Sequence, residues 1–514
     1  MKNNIVKYAL FIILIIVLCI IVFFSVFGSK LSFISSDSIK YNKEEKNELL
    51  DDISVNLIDL VYSKDLDLYF LSLDSSYENS KYILKLNLED GYKYKVQGQF
   101  TNIITVDYSK VINVIIYNDE FYDEIKIQIT NLPIININVE DVVTKENESK
   151  AEFSYVSSNF STDSNIMIKY RGDKSLLFDK KSYKITGYNK DYSNDISLDI
   201  PSFYNGSGYI LDAVYRDPSK IRNALSTEIW NQVSSDFTDV KINSEFVELI
   251  VNNEYRGLYV LTEPINRKKL GLNKTTEDDT SIIVKSISYE FEPLAYYKSK
   301  DIKNIQSSIF EPFEIKYPND EELYSYSWNK FLKVALKYYD NIYYQTDNDI
   351  INTFDINNYV DWVLFNSFTD NEDNKLLKNN YFYMKSSNDK IIYIQPWDME
   401  YSYGIRYDED LLNSVSYEYD EYATSFIKFN NESAPLVTKM TINRYIELRK
   451  NILTSDNINS IIDKYSNELN KGASLRDSNK WYSYNQEEEA NRIKNWVNNR
   501  FGAFDDYIMG LYYE

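Results

Sequence analysis

Residues Asp361–Gly404 read DWVLFNSFTDNEDNKLLKNNYFYMKSSNDKIIYIQPWDMEYSYG, and the order of patterns inside this stretch sets the expectation for the rest of the chain. An apolar helical face (Trp362, Val363, Phe365) runs into an acidic turn with Asp370, Glu372 and Asp373, and an amide pair, Asn379 and Asn380, follows. YFYM and IIYIQP, separated by the turn-forming SSND, predict a β-hairpin whose second strand ends on Pro396, Trp397, Asp398, Met399 and Glu400. A hairpin reverses the chain, so the acidic turn before its first strand and the carboxylate after its second come close. Nucleotide chemistry needs such a set: hard oxygen ligands for a divalent cation and a second carboxylate to accept a hydroxyl proton. Acidic turns are common in a chain this rich in Asp and Asn, so other stretches must decide.

Composition narrows the chemistry. At 514 residues with 44% hydrophobic and 16% aromatic content, the chain can bury a substantial core in two or three domains. A net charge of −22 opposes a nucleic-acid partner, because phosphate backbones are bound by basic surfaces. Histidine is absent, which excludes Ser-His-Asp triads, Cys-His dyads and His-ligated zinc. The single cysteine, Cys19, lies inside an apolar run, so intrachain disulfides and thiolate catalysis are excluded too. Asp, Glu, Lys, Asn and Tyr remain to carry any reaction, with magnesium the natural cation.

Read from the N-terminus, residues 8–28 are apolar over about the 20 residues a helix needs to cross a bilayer, and Lys2 and Lys7 precede them. They predict an uncleaved transmembrane anchor, with residues 1–7 cytoplasmic and the bulk of the chain outside the cytoplasm; IVLC around Cys19 is a faint lipoprotein box. Residues 29–52 form a polar juxtamembrane linker. Short alternating strands over 53–131 predict a small β-sandwich, read as a spacer or adhesive module. The main domain covers 132–514. Its early part holds Arg171-Gly172-Asp173 in a turn and Lys180, Lys181 and Lys184 at the next strand, where an inward lysine suits nucleotide phosphates. A three-residue RGD arises easily by chance and carries no adhesive reading. A helix over 219–233, a hairpin around Asn252-Asn253 and a strand ending at Glu263 before Pro264 follow. Residues 267–330 are expected as an insert between lobes, and amphipathic helices dominate from about Tyr326.

RGDKSLLFDKKSYKI, IRNALSTEIW, VELIVNNEYRGLYVLTEPI, NEDNKLLKNNYFYM and PWDMEYSYG together resemble, in order and spacing, the bacterial spore-coat protein H (CotH) kinase family over roughly residues 132–510. The resemblance implies an α+β, divergent protein-kinase-like two-lobed domain, here preceded by the transmembrane anchor and the all-β sandwich. It also implies transfer of the ATP γ-phosphoryl group, with Mg²⁺ or Mn²⁺, to Ser or Thr of proteins in the envelope or spore coat. By position it makes Asp373 the general base, and Asn379 and Asp398 the metal ligands, with Glu400 assisting. Lys181, or in the other register Lys180, would hold the phosphates beside Arg171. Arg222 and Asn223 would line the adjoining helix, and Glu263 would mark the adenine hinge. Two features depart from kinase patterns: five residues separate Asp373 from Asn379 where kinase catalytic loops have four, which leaves roles open for Asp370 or Asn380, and no Gly-rich loop precedes the lysine strand. The competing readings are a non-catalytic surface adhesion or structural protein, and another ATP-dependent transfer such as nucleotidylation or glutamylation.

Overall fold

Apolar residues alternate with polar ones from Ser149 to Ser157, and the same period runs through the neighbouring segments; this is the pattern of strands with one face in a core. In the computed structural model, which describes residues 53–88, 90–119, 122–201, 203–204, 206–276, 279–288, 305–339, 345–375, 378–386, 389–405 and 433–513, these segments close on themselves. An N-terminal module comes first. Its main sheet has strands β1 (Val61–Ser63), β2 (Leu68–Ser72), β3 (Lys93–Val96), β4 (Val111–Tyr117) and β5 (Tyr122–Thr130) in the order β1-β2-β5-β4-β3. Small three-stranded and two-stranded sheets complete a core that includes Leu71, Val114 and Ile127. The expected sandwich is therefore corrected to three small sheets, with β5 running parallel to β2.

Seven strands form a closed barrel: β6 (Ile134–Val139), β7 (Ser149–Ser157), β8 (Phe160–Arg171), β9 (Ser182–Tyr188), β10 (Gly208–Asp212), β11 (Ser244–Val251) and β12 (Glu254–Thr262), in the order β6-β7-β8-β9-β10-β12-β11. Parallel pairing of β6 with β11, Ile134 opposite Glu248, shuts it. Ile137, Phe153, Ile168, Ile185, Leu211, Leu249 and Leu261 fill its interior. Asn252 (φ 52°) and Asn253 (φ 58°) both adopt left-handed conformations, as a two-residue hairpin turn requires, so the Asn-Asn signal between β11 and β12 is realised.

A second sheet is wholly antiparallel: β13 (Ile282–Ser286), β14 (Ile309–Phe310), β15 (Phe313–Tyr317), β16 (Asn380–Met384) and β17 (Tyr393–Pro396), in the order β14-β15-β13-β16-β17. β16 and β17 are the hairpin read from the sequence. β13 corrects it, because the stretch expected as an insert between lobes supplies the central strand. Helices α1 (Arg222–Val233), α2 (Tyr324–Tyr339), α3 (Asp347–Ile351), α4 (Ile356–Thr369), α5 (Glu372–Lys375), α6 (Pro435–Leu448), α7 (Ser455–Leu469), α8 (Ala473–Lys480) and α9 (Gln486–Tyr513) complete the chain, with α4 packed on β17 of this sheet and α8 on β12 of the barrel. Trp230, Trp362, Phe365, Trp496 and Phe504 anchor their common core.

Two expectations are corrected. The kinase-like two-lobed domain behind an anchor and a sandwich gives way to a closed barrel joined to a five-stranded sheet and its helices. Against the expected single-pass membrane localisation, no helix among the described residues is long and apolar enough to cross a membrane. Even the 28-residue α9 carries acidic residues Glu487–Glu489 in its first turn. Residues 8–28, to which the anchor was assigned, lie outside the described residues, as do residues 1–7, the linker 29–52 and Cys19.

Where α7 packs on the barrel, Phe246 meets Tyr465 edge to face, and two acids lie close by. Burial, reinforced by the Glu468 charge, pushes Glu245 up to about 7; burial likewise pushes Glu468 up to about 7. Both pKa values exceed the unfolded glutamate value of about 4.3, so the folded state binds more protons between the two. The stability from these groups is fully present below about pH 4.3 and is lost as pH rises through about 7. Glu468→Gln is therefore expected to raise the melting temperature at pH 7.5 relative to wild type and to bring little gain at pH 4.5. An equal shift at both pH values would contradict this assignment.

Candidate active site

Three neighbouring barrel strands deliver their ends to one rim. β8 ends on Arg171, which is paired with Ser182 at the start of β9, and β10 ends on Asp212. Ser182 Oγ donates to Asp212 Oδ1 (3.3 Å) and accepts from the Ala213 N–H (2.9 Å). Facing this rim is one end of the second sheet. Lys285 of β13 stands opposite Tyr381 of β16, Asn379 precedes β16, and Asp398 follows β17. A cavity of about 290 Å³ lies between, lined among others by Arg171, Lys180, Asp212, Lys285, Asp373, Asn379, Asp398 and Glu400.

Local structure fixes the acidic loop. α4 ends on Asp370 in the left-handed conformation (φ 51°), which turns the chain into α5 and Asp373. Asn379 Nδ2 donates to Asp373 Oδ2 (2.9 Å), so base candidate and amide candidate are held as a pair. Asn374 donates to the Trp397 carbonyl (2.9 Å), Asn380 donates to the Asn374 carbonyl (2.9 Å), and the Trp362 indole donates to Asn380 Oδ1 (2.9 Å). This amide chain ties the loop after α4 to the residue before Asp398. Asn379 and Asp398 each have φ 58°, and Val214, beside Asp212, has φ 39°. A β-branched residue at positive φ is strained, and strain of this kind concentrates at functional sites.

The cavity gathers some of the residues singled out from the sequence and leaves others outside. Arg171, Lys180, Asp373, Asn379, Asp398 and Glu400 line it. Lys181 does not: its ammonium donates to the carbonyls of Leu176 (2.7 Å) and Phe178 and closes its own loop. Glu263 lies elsewhere, accepting from the Tyr204 and Asn243 amides (2.9 and 2.8 Å) and from Lys269 (2.6 Å). Arg222 is buried behind the site on Asp217 (2.6 Å) and the Ser402 carbonyl (3.1 Å). Asn223 bridges, donating to Asp212 Oδ2 (3.2 Å) and accepting from the Met399 N–H (3.1 Å), so it couples the barrel rim to the turn after Asp398. Asp370 caps α4 and Asn380 holds Trp362, which leaves Asp373 and Asn379 as the cavity pair.

Two lining residues escaped the sequence reading. Lys285 interrupts the apolar strand IIVKS, and Asp212 closes the apolar strand YILD; a lone charge in a buried strand was the available signal. Burial pulls the Lys285 ammonium down while the Asp398 carboxylate pushes it back up. Burial, and then the Asp398 charge, push Asp212 up, with Arg171 opposing. Burial followed by the charges of Asp398 and Asp212 push Glu400 well above the usual carboxylate range.

These shifts bear on whether a cation and a polyphosphate fit. Three mutually repelling carboxylates, Asp212, Asp398 and Glu400, stand beside Arg171 and Lys285, and a divalent cation would relieve the repulsion. Among the described residues no group of three or more acids converges closely enough to hold a metal alone. Magnesium suits that geometry, because it is held by one or two carboxylates and takes its other ligands from water and phosphate. Asp398, with the Asn379 amide, would hold it, while Arg171 and Lys285 would supply charge for phosphate oxygens.

Fold and site together define an α+β protein whose barrel rim and sheet end enclose a cavity of opposed cations and carboxylates. The chain belongs to the CotH family: residues 168–503, more than half of the sequence, match the CotH kinase protein family. It is similar to the inner spore coat protein H of Bacillus subtilis (strain 168), with 24% identity over 246 residues, covering 46% of this chain and 59% of that protein. The chain thus spans less than two thirds of the length of the curated relative it matches.

Proposed function

We propose that this protein transfers the γ-phosphoryl group of ATP to a Ser or Thr hydroxyl of a protein partner in the spore coat or envelope. The observation that carries the reading is the meeting of Asp373, Asn379 and Asp398 with Arg171 and Lys285 around one cavity, although more than two hundred residues separate Arg171 from the acids. Family membership and the similarity to an inner spore coat protein support the reaction and the partner class.

Asp373 accepts the hydroxyl proton as the acceptor oxygen bonds to the γ-phosphorus and the bond to the β–γ bridging oxygen breaks. Asn379 orients Asp373 through its amide hydrogen bond. Arg171 and Lys285 neutralise phosphate charge from the barrel and sheet sides, with Lys180 held on Asp477 in the cavity wall behind them. Bound magnesium supplies Lewis-acid neutralisation of the phosphate oxygens. No histidine or cysteine is needed, because phosphoryl transfer depends on positioning and charge more than on covalent chemistry.

Incubation with ATP labelled at the α- or γ-position tests this. Wild-type protein is expected to pass the γ-label to a Ser/Thr acceptor only when a divalent cation is present. Asp373→Asn should lower kcat by roughly a hundredfold or more while retaining nucleotide binding. Passage of the α-label would instead establish nucleotidylation. No transfer of either label, with tight partner binding unchanged by the same substitution, would establish a non-catalytic binding protein.

A further inference from the structure

α8 lies between the cavity and the N-terminal module, and it is held on both sides. Toward the cavity, Asp477 Oδ1 accepts from Lys180 Nζ (2.6 Å) and the Leu258 N–H (2.9 Å), and its Oδ2 accepts from the Tyr484 hydroxyl (3.0 Å). Lys180 also donates to the Leu258 carbonyl (2.5 Å), and the side chains of Lys180 and Asp477 are fully buried. Gly257 has φ 94°, and a Cβ there would lie 2.2 Å from Asp477 Oδ1, so this approach requires glycine.

Toward the module, Arg476 donates to the Tyr108 carbonyl (3.3 Å) and to Thr130 Oγ1 (3.3 Å), while its Nε holds Glu248 of the barrel (3.1 Å). Lys480 pairs with Asp65 (2.7 Å), and Lys471, just before the helix, pairs with Glu78. Asp65 in turn accepts from the Tyr255 N–H (2.9 Å). Gly472 begins α8 with φ 116°, and a Cβ there would meet the Tyr108 carbonyl oxygen at 2.7 Å. Glycine is required on this side as well. One turn of α8 thus presents Arg476 to the module and Asp477 to the cavity lysine.

We infer that α8 couples the N-terminal β module to the cavity, with Asp477 acting as a positioning residue that sets where the Lys180 ammonium stands, so that docking of the module tunes phosphate binding. The inference rests on the phosphoryl-transfer reading for the role of Lys180; the mechanical link from module to lysine does not. The module is then a regulatory part of the protein rather than a spacer. Any partner that pulls it from α8 acts on the cavity without touching it.

The test uses the full chain with Lys471→Glu and Lys480→Glu together, which replace two attractions by repulsions at the module contact and leave every cavity residue intact. MgATP titrated by calorimetry should bind at least about fivefold more weakly, with KM for ATP raised by the same factor and kcat little changed, as expected for coupling between two sites. Glu78→Lys combined with Lys471→Glu, which swaps the charges of the other module pair, should retain wild-type affinity. Amide hydrogen exchange judges the link without nucleotide: the double variant should exchange faster at Leu258 and over residues 180–184 as well as in α8. Faster exchange confined to α8, or wild-type MgATP affinity in a variant whose α8 has loosened, overturns the coupling. Failure of the wild type itself to bind MgATP overturns the functional reading, and the exchange pattern then decides the coupling alone. If the double reversal unfolds the protein, Lys480→Ala carries the same comparison.

Discussion

Asp398→Asn is expected to lower γ-phosphoryl transfer by roughly a hundred- to a thousandfold, the size of effect seen when one preorganised electrostatic group is lost at a reacting centre. The substitution keeps the shape of the side chain, and asparagine tolerates the left-handed backbone that Asp398 adopts at φ 58°. The melting temperature should therefore stay close to wild type. Removal of the carboxylate charge takes from the cavity the group that would hold the cation, and it also removes the stronger of the anionic charges, Asp398 and Glu314, that favour Lys285 protonation. Weaker divalent-cation dependence of ATP binding should accompany the loss of rate. A variant that folds normally and keeps a tenth of the wild-type rate would remove Asp398 from the mechanism.

The largest expected effect on stability comes from Arg444→Met. Arg444 of α6 donates to Asp361 Oδ1 of α4 (2.8 Å), to the Val233 carbonyl at the end of α1 (2.8 Å) and to Asp236 (2.8 Å), so it staples three helices that support the site. The Asp361 side chain is fully buried. Loss of its only strong partner among the described residues leaves an uncompensated charge, for which a cost of about 3–5 kcal/mol is typical. Chemical denaturation at a pH well above 7, where the wild-type Asp361 is ionised, measures it. Burial already pushes Asp361 up to about 7 against the opposing pull of Arg444, so in the variant the carboxyl protonates more readily still and the penalty should shrink as pH falls. Arg444→Met combined with Asp361→Leu should regain most of the loss, since a well-packed apolar pair often replaces a buried ion pair without cost. Equal destabilisation of the single and double variants would place the effect in packing rather than in the stranded charge.

Local signals carried the elements whose partners are near in sequence. SSND between two apolar strands marks the β16–β17 hairpin, and two consecutive asparagines mark the β11–β12 turn, because those pairings close over a few residues. Long-range pairings left no such mark. β13 joins β16 across about a hundred residues, and β6 joins β11 in parallel to shut the barrel, so IIVKS read as part of an insert and the barrel was not foreseen. The N-terminal strands were legible one by one, but not their distribution over three sheets.

The same division runs through the site. Residue types and their order, with no histidine, one cysteine, a strong negative charge, the Asp-Asn loop and the Trp397-Asp398 turn, by themselves determined which chemistry remained open and which family the chain resembles. Which of two adjacent lysines borders the cavity was decided only by the tertiary structure, because neighbours in an extended segment point to opposite sides and a shift of one residue exchanges them. Lys285 and Asp212 became visible for the same reason: a charge set in an apolar strand acquires meaning only when another sheet brings counter-charges to face it.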